Sequence, residues 1–76
     1  MARAYVTIMA DPGRERSLKS EIAAIPGVVG VDLTSGDQDL ICIVETDSFK
    51  IILDTVVNRI RVLDGVANTR TNLVLE

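Results

Sequence analysis

Seventy-six residues, 47% hydrophobic but only 3% aromatic, with net charge −3, one cysteine and no histidine, make one small domain with no room for a second. A domain of about 60 residues buries only about 60% of the surface its unfolded chain exposes, so this one is marginal alone. A lone cysteine excludes an internal disulfide and, without histidine, a Cys/His zinc site, which leaves association with further copies as the remaining support.

No stretch approaches the roughly 20 consecutive apolar residues of a bilayer span. No apolar core with a small-residue cleavage site follows Met1, so the expectation is a cytoplasmic protein without membrane contact. The acidic balance and scattered arginines lack the basic stripe of a nucleic-acid surface.

In chain order, Ala4 to Ala10 is short, apolar and β-branched, which predicts a strand. Asp11-Pro12-Gly13 stops it, because proline removes a ladder donor and glycine admits turn dihedrals. From Arg14 to Ile25 the apolar positions Leu18, Ile22 and Ile25 recur at helical spacing and predict a helix with one narrow apolar face. Pro26-Gly27 ends it. A second strand over Val28 to Ser35 leads into the hairpin turn Gly36-Asp37-Gln38. The third strand, Asp39 to Glu45, is apolar on both parities and so has no polar face. Thr46-Asp47-Ser48 supplies capping side chains for a longer helix. On that helix Phe49, Ile52, Leu53, Val56, Val57, Ile60 and Leu63 form a broad apolar stripe. Asp64-Gly65 breaks it, and Val66 to Leu75 is the last strand.

An offset of half the chain superposes the two halves: Leu18 falls on Val56, Ile22 on Ile60, Ile25 on Leu63, Gly27 on Gly65 and Val28 on Val66. Each half is strand, helix, strand. Two βαβ units predict a ferredoxin-like βαββαβ fold of the α+β class, a four-stranded antiparallel sheet with both helices on one face. Right-handed crossovers give the strand order 4-1-3-2.

Two helices cover only one side of that sheet. Either Leu40, Cys42 and Val44 or Ile41 and Ile43 must then point away from them, joined by Val6 and Ile8 or by Tyr5 and Met9. Apolar patches above about 300–600 Å² are unusual on soluble monomers. The expectation is a homodimer, a second subunit laid sheet to sheet about 10 Å away in a dimeric α/β sandwich.

Candidate chemistry is sparse. Without histidine the usual general acid–base group is missing. Asp32, Asp37 and Asp39 gather around the hairpin but lack the alternating pattern of a calcium loop, so no metal is expected. They read either as a solvated turn or as half of a zwitterion site, with backbone N–H groups around Gly36 holding the anion and an aspartate receiving the cation. Cys42 reads as a small hydrophobe in the core. Asn58, Arg59 and Arg61 read as a solvated helix face or an intersubunit contact. The polar run Asn68 to Asn72 suits an edge strand, or brings the Thr69 and Thr71 hydroxyls to a ligand if assembly places it near a hairpin. No phosphate loop, dinucleotide fingerprint or C-x-x-C is present, and no cofactor is expected.

Taken in order, Pro12-Gly13-Arg14, Ile25-Pro26-Gly27-Val28, Thr34 through Leu40, Asn58-Arg59-Ile60, Leu63-Asp64-Gly65-Val66 and Thr69-Arg70-Thr71 resemble the Lrp/AsnC family. The match is to its C-terminal effector-binding (RAM) domain and covers essentially the whole chain, with no counterpart of the family's helix-turn-helix. The resemblance implies a subunit that dimerises through its sheet, with dimers assembling into octameric or decameric rings that bind amino-acid effectors between dimers. Carried over position by position, it assigns effector contacts to Gly36, Asp37 and Asp39 of the hairpin and to Thr69 and Thr71 of the closing strand. Gln38 departs from the family pattern, which commonly has an aromatic there.

The resulting expectation is an oligomeric amino-acid-binding module acting on transcription or metabolism through partners, among them full-length Lrp/AsnC regulators, rather than by touching DNA. The alternatives are a purely structural oligomerisation domain and a small dimeric α/β-barrel enzyme. Such enzymes usually use histidine, tyrosine or a cofactor, and Tyr5 is all this chain offers.

Overall fold

A computed structural model describes residues 1–76. The elements run β1 (Ala2–Ala10), α1 (Glu15–Ala23), β2 (Val28–Leu33), β3 (Leu40–Thr46), α2 (Phe49–Thr55) with a π-helical continuation over Val56–Ile60, and β4 (Val66–Leu73). The sheet order is β2-β3-β1-β4 with every neighbouring pair antiparallel. This is the ferredoxin-like arrangement expected from two βαβ units. The central pairing sets Val6 against Cys42 and Ile8 against Leu40.

The core lies between the sheet and the two helices. Ala4, Val6, Ile8, Leu40, Cys42 and Val44 point inward and are fully buried against Leu18, Ile22, Ile52 and Ile60. Side-chain alternation along a strand then sends Ile41 and Ile43 to the opposite face. There they join Tyr5 and Met9, which are 40% and 45% exposed. Of the two sets that parity allowed, the helices cover the one containing Cys42.

The halfway repeat is visible in the backbone. After each helix the chain makes the same turn. Ile25 N donates to Ile22 O (3.0 Å) and Leu63 N to Ile60 O (3.1 Å), then Val28 N to Ile25 O (3.1 Å) and Val66 N to Leu63 O (3.3 Å). Gly27 and Gly65, the equivalent residues of these turns, both have φ +96°. That conformation admits glycine readily and other residues at a cost.

The second helix differs from the single long helix predicted. It starts as expected, with Ser48 Oγ accepting from Ile51 N (3.2 Å). After Thr55 the hydrogen-bond ladder widens, and Arg61 N donates to Val56 O (2.8 Å), five residues back. Ile52, Thr55, Val56 and Ile60 are buried, while Phe49, Leu53 and Val57 stay exposed. A second helix beside α1 can lay only a narrow stripe on a four-stranded sheet, so the broad stripe in the sequence is half used. Thr55, a polar residue inside that stripe, is satisfied by donating to Ile51 O (2.8 Å).

Strand ends also move by a residue or two. β2 stops at Leu33 rather than Ser35, because Thr34 is drawn into the hairpin, its N–H donating to Asp39 O (2.9 Å).

Cys42 packs in the core as predicted, and burial pushes its thiol from 9.0 up to about 11. The group holds its proton in the folded protein at pH values where the unfolded chain releases it. Stability is therefore fully present below pH 9 and falls as the pH rises toward 11. In the native protein at neutral pH, Cys42 should not react with a thiol reagent until denaturant is added. Cys42→Ala should remove the alkaline loss of stability. Rapid labelling of the native protein would contradict this placement.

Candidate functional site

The sequence places its densest chemistry on the β2–β3 hairpin, and local bonds explain the hairpin's shape. Thr34 Oγ1 donates to Gln38 O (2.6 Å), closing the loop around Ser35, Gly36 and Asp37. Asp39 N donates to Ile8 O (3.0 Å), which ties the hairpin base to the end of β1. The β1–β4 register slips between Met9 and Ala10, and the Asp39 carboxylate accepts from Ala10 N (2.8 Å). Asp39 thus anchors the hairpin at this irregularity through one oxygen.

Two concavities flank the hairpin. The first, of about 200 Å³, is lined by Thr7, Met9, Asp37, Gln38, Asn68, Thr69 and Arg70. It lies at the hairpin end of the open sheet face. The second is broader and shallower, bordered by Gly13, Glu15, Arg16, Leu33, Thr34 and Asp39 where α1 begins.

The five predicted site residues are divided between these places. Asp37 and Thr69 line the first cleft, and Asp39 borders the second. Gly36 sits in the hairpin loop and lines neither, and Thr71 lies further along β4, opposite Val6. Thr69 pairs with Ile8 and Thr71 with Val6, so both hydroxyls are on the helix-covered side of edge strand β4. Asn68, Arg70 and Asn72, opposite Met9, Thr7 and Tyr5, take the open side. Asp32 also faces the open side, opposite Ile41. Asp32, Asp37 and Asp39 form no group able to hold a metal ion.

Reading the residues missed Thr7, Met9, Asn68 and Arg70 as lining groups. The period-two alternation of Asn68-Thr69-Arg70-Thr71-Asn72 is in the sequence and separates the two sets. What it lacks is the information that Asp37 comes round to face one of them.

The fold and the cleft define a small α+β ligand-binding module whose polar cleft opens beside an uncovered sheet. The profile of the Lrp/AsnC ligand binding domain matches residues 3–76, and the chain belongs to that family. Among solved structures, TTHA0845 from Thermus thermophilus shares 32% identity, covering 100% of this chain and 95% of that one, at TM-score 0.96. AsnC of E. coli shares 18% identity over 99% of this chain, which spans 51% of that one, at TM-score 0.91. The transcriptional regulator NMB0573 of Neisseria meningitidis, solved as an L-Met complex, shares 15% identity over 99% of this chain and 50% of that one, at TM-score 0.80. At those identities the last two show a likeness of fold. No curated protein sequence matches the chain. No helix is long and apolar enough to cross a membrane.

Proposed function

We propose that residues 1–76 form one effector-binding unit, a homodimer assembled through its open sheet, that senses a free amino acid and acts through partner regulators rather than on DNA. Membership of the Lrp/AsnC ligand-binding family over residues 3–76 carries this reading. The L-Met complex of NMB0573 supports an amino acid as the ligand class. The position of the hairpin supports it further, since Asp37 lies at the rim of the open face, where a ligand meets a subunit boundary. Effector contacts are assigned to Gly36, Asp37, Asp39, Thr69 and Thr71. Because those residues are split between two sides of one subunit, the second side of the site falls to a neighbouring dimer of a ring. Full-length Lrp/AsnC regulators are the partners this surface suits.

The test is a thermal-shift screen of the twenty amino acids on protein whose mass is known from light scattering. A ligand that binds only the native state stabilises it by RT ln(1 + [L]/Kd), about 2.7 kcal/mol at a hundred times Kd. At least one amino acid should raise the melting temperature progressively with concentration. An intact oligomer that responds to none of them would be a structural oligomerisation domain, and the sensing role would fall.

A further inference from the structure

The open sheet face carries charge in a fixed order. Each of the four strands holds one charged residue: Asp32 on β2, Glu45 on β3, Arg3 on β1 and Arg70 on β4. Alternation along the strands puts all of them on the side the helices leave bare. In sheet order that face therefore reads acid, acid, base, base. The strand registers set the charges in two rows. Asp32, Ile41, Thr7 and Arg70 stand side by side in one, and Glu45 and Arg3 face each other in the other. Arg3 and Glu45 pair at 3.4 Å, whereas Asp32 and Arg70, at opposite edges of the sheet, have no ion-pair partner in their own subunit. We propose that this order is a recognition code for a second copy of the chain, laid face to face about a two-fold axis that runs along the strands.

Symmetry leaves two ways to stack identical aligned sheets. Such sheets pack about 10 Å apart with their strands within about 30° of one another, so the two-fold runs either across the strands or along them. Across them, every strand lies on its own copy, which sets acidic strands on acidic ones and basic on basic. Along them, the order β2-β3-β1-β4 meets its own reverse. Asp32 then faces the partner's Arg70, and Glu45 faces the partner's Arg3. The apolar centre closes at the same time, with Ile43 over the partner's Tyr5 and Ile41 over the partner's Thr7. The two-fold makes each contact twice. Arg3, Glu45 and their copies form a square of alternating charge, while the unpaired Asp32 and Arg70 find each other at the edges. Juxtaposed like charges cost an interface free energy and suppress wrong partners. A copy of this chain is accepted, and a relative with another order of charge is rejected.

The code rests on the reading of a homodimer through the open face, and adds the orientation and the residues that choose the partner. Its test is charge reversal with Asp32→Arg and Arg70→Asp. Both side chains are exposed, so circular dichroism of each variant should stay near wild type. Each variant alone places like charges at both edges of its dimer, and its dissociation constant should rise at least about tenfold. Mixed together, the two variants should form a heterodimer in which both edges regain opposite charges, with a constant within about threefold of wild type. A mass tag on one variant lets native mass spectrometry separate heterodimer from homodimers, and light scattering over a dilution series gives the constants. If wild type is a dimer and the single variants dimerise equally well, or their mixture does not prefer the heterodimer, the code is overturned. Ile43→Lys, measured alongside, then decides whether the open-face dimer itself stands. If wild type is a monomer, both fall.

Discussion

Ile43→Lys should turn the proposed dimer into monomers. Ile43 lies opposite Tyr5 in the middle of the open sheet face, next to Ile41 on the same strand. All three belong to the surface that the helices leave bare. In the proposed dimer a lysine there is taken out of water with no partner. Each tenfold in dissociation constant corresponds to about 1.4 kcal/mol, and burial of an unpaired charge costs several times that. The dimer dissociation constant should therefore rise at least about a hundredfold. In the monomer the same lysine reaches water without touching the core, so strand and helix content should survive, with a lower melting temperature from lost association. Light scattering of wild type and variant over a dilution series reads both effects. A wild-type mass for the variant, or a monomeric wild type at micromolar concentration, would rule out this interface.

Gly65→Ala should be the most damaging of the turn-glycine substitutions. Gly65 has φ +96°, and a Cβ built there meets the Arg14 side chain at 2.8–2.9 Å, including its Cβ and Cγ. The left-handed backbone costs a side-chain-bearing residue roughly 1–2 kcal/mol. The clash adds the displacement of Arg14, whose Nη2 donates to Asp64 O (2.9 Å) and pairs with Glu21 (3.2 Å). Losing these contacts adds about 1–2 kcal/mol, for a total of about 2–4 kcal/mol. Gly13 is the control. At φ +88° it has open space where a Cβ would go, so Gly13→Ala pays only for backbone. Gly27→Ala falls between, since its Cβ lies 3.2 Å from the Thr46 methyl. Urea unfolding should rank the three Gly65, Gly27, Gly13 from greatest loss to least. Equal losses at Gly65 and Gly13 would mean that Arg14 moves aside freely.

Both experiments probe features that were unequally legible in the residues. The turns were readable because Pro26-Gly27 and Asp64-Gly65 punctuate equivalent points of a repeat, and the backbone repeats there as well. Arg14 packing over Gly65 was not, since the two residues lie far apart in the chain with no pattern linking them. The buried stripe of α2 was legible only in part. Periodicity marks every apolar position on the helix, but beside α1 the sheet takes only the stripe of Ile52, Val56 and Ile60, and Phe49, Leu53 and Val57 are left exposed.

Asp39 shows the same division at the candidate site. Its place in an acidic hairpin marks it for chemistry, yet the slip between Met9 and Ala10 gives one of its oxygens a structural bond to Ala10 N. Arg70 went the other way. Local reading made it an edge-strand charge, and the cleft it shares with Asp37 exists only once β4 lies beside β1 and the hairpin closes over them.

By itself the sequence determined the element types, the βαββαβ order and the presence of a surplus of apolar surface. Those follow from periodicity, turn residues and the limited burial open to 76 residues. Only the tertiary structure decided that Leu40, Cys42 and Val44 face the helices while Ile41 and Ile43 stay bare. It also decided that Asp37 and Arg70 share a cleft while Asp39 and Thr71 do not join them. Alternation along a strand defines two faces without naming either. The helices name them, through contacts between residues far apart in the chain.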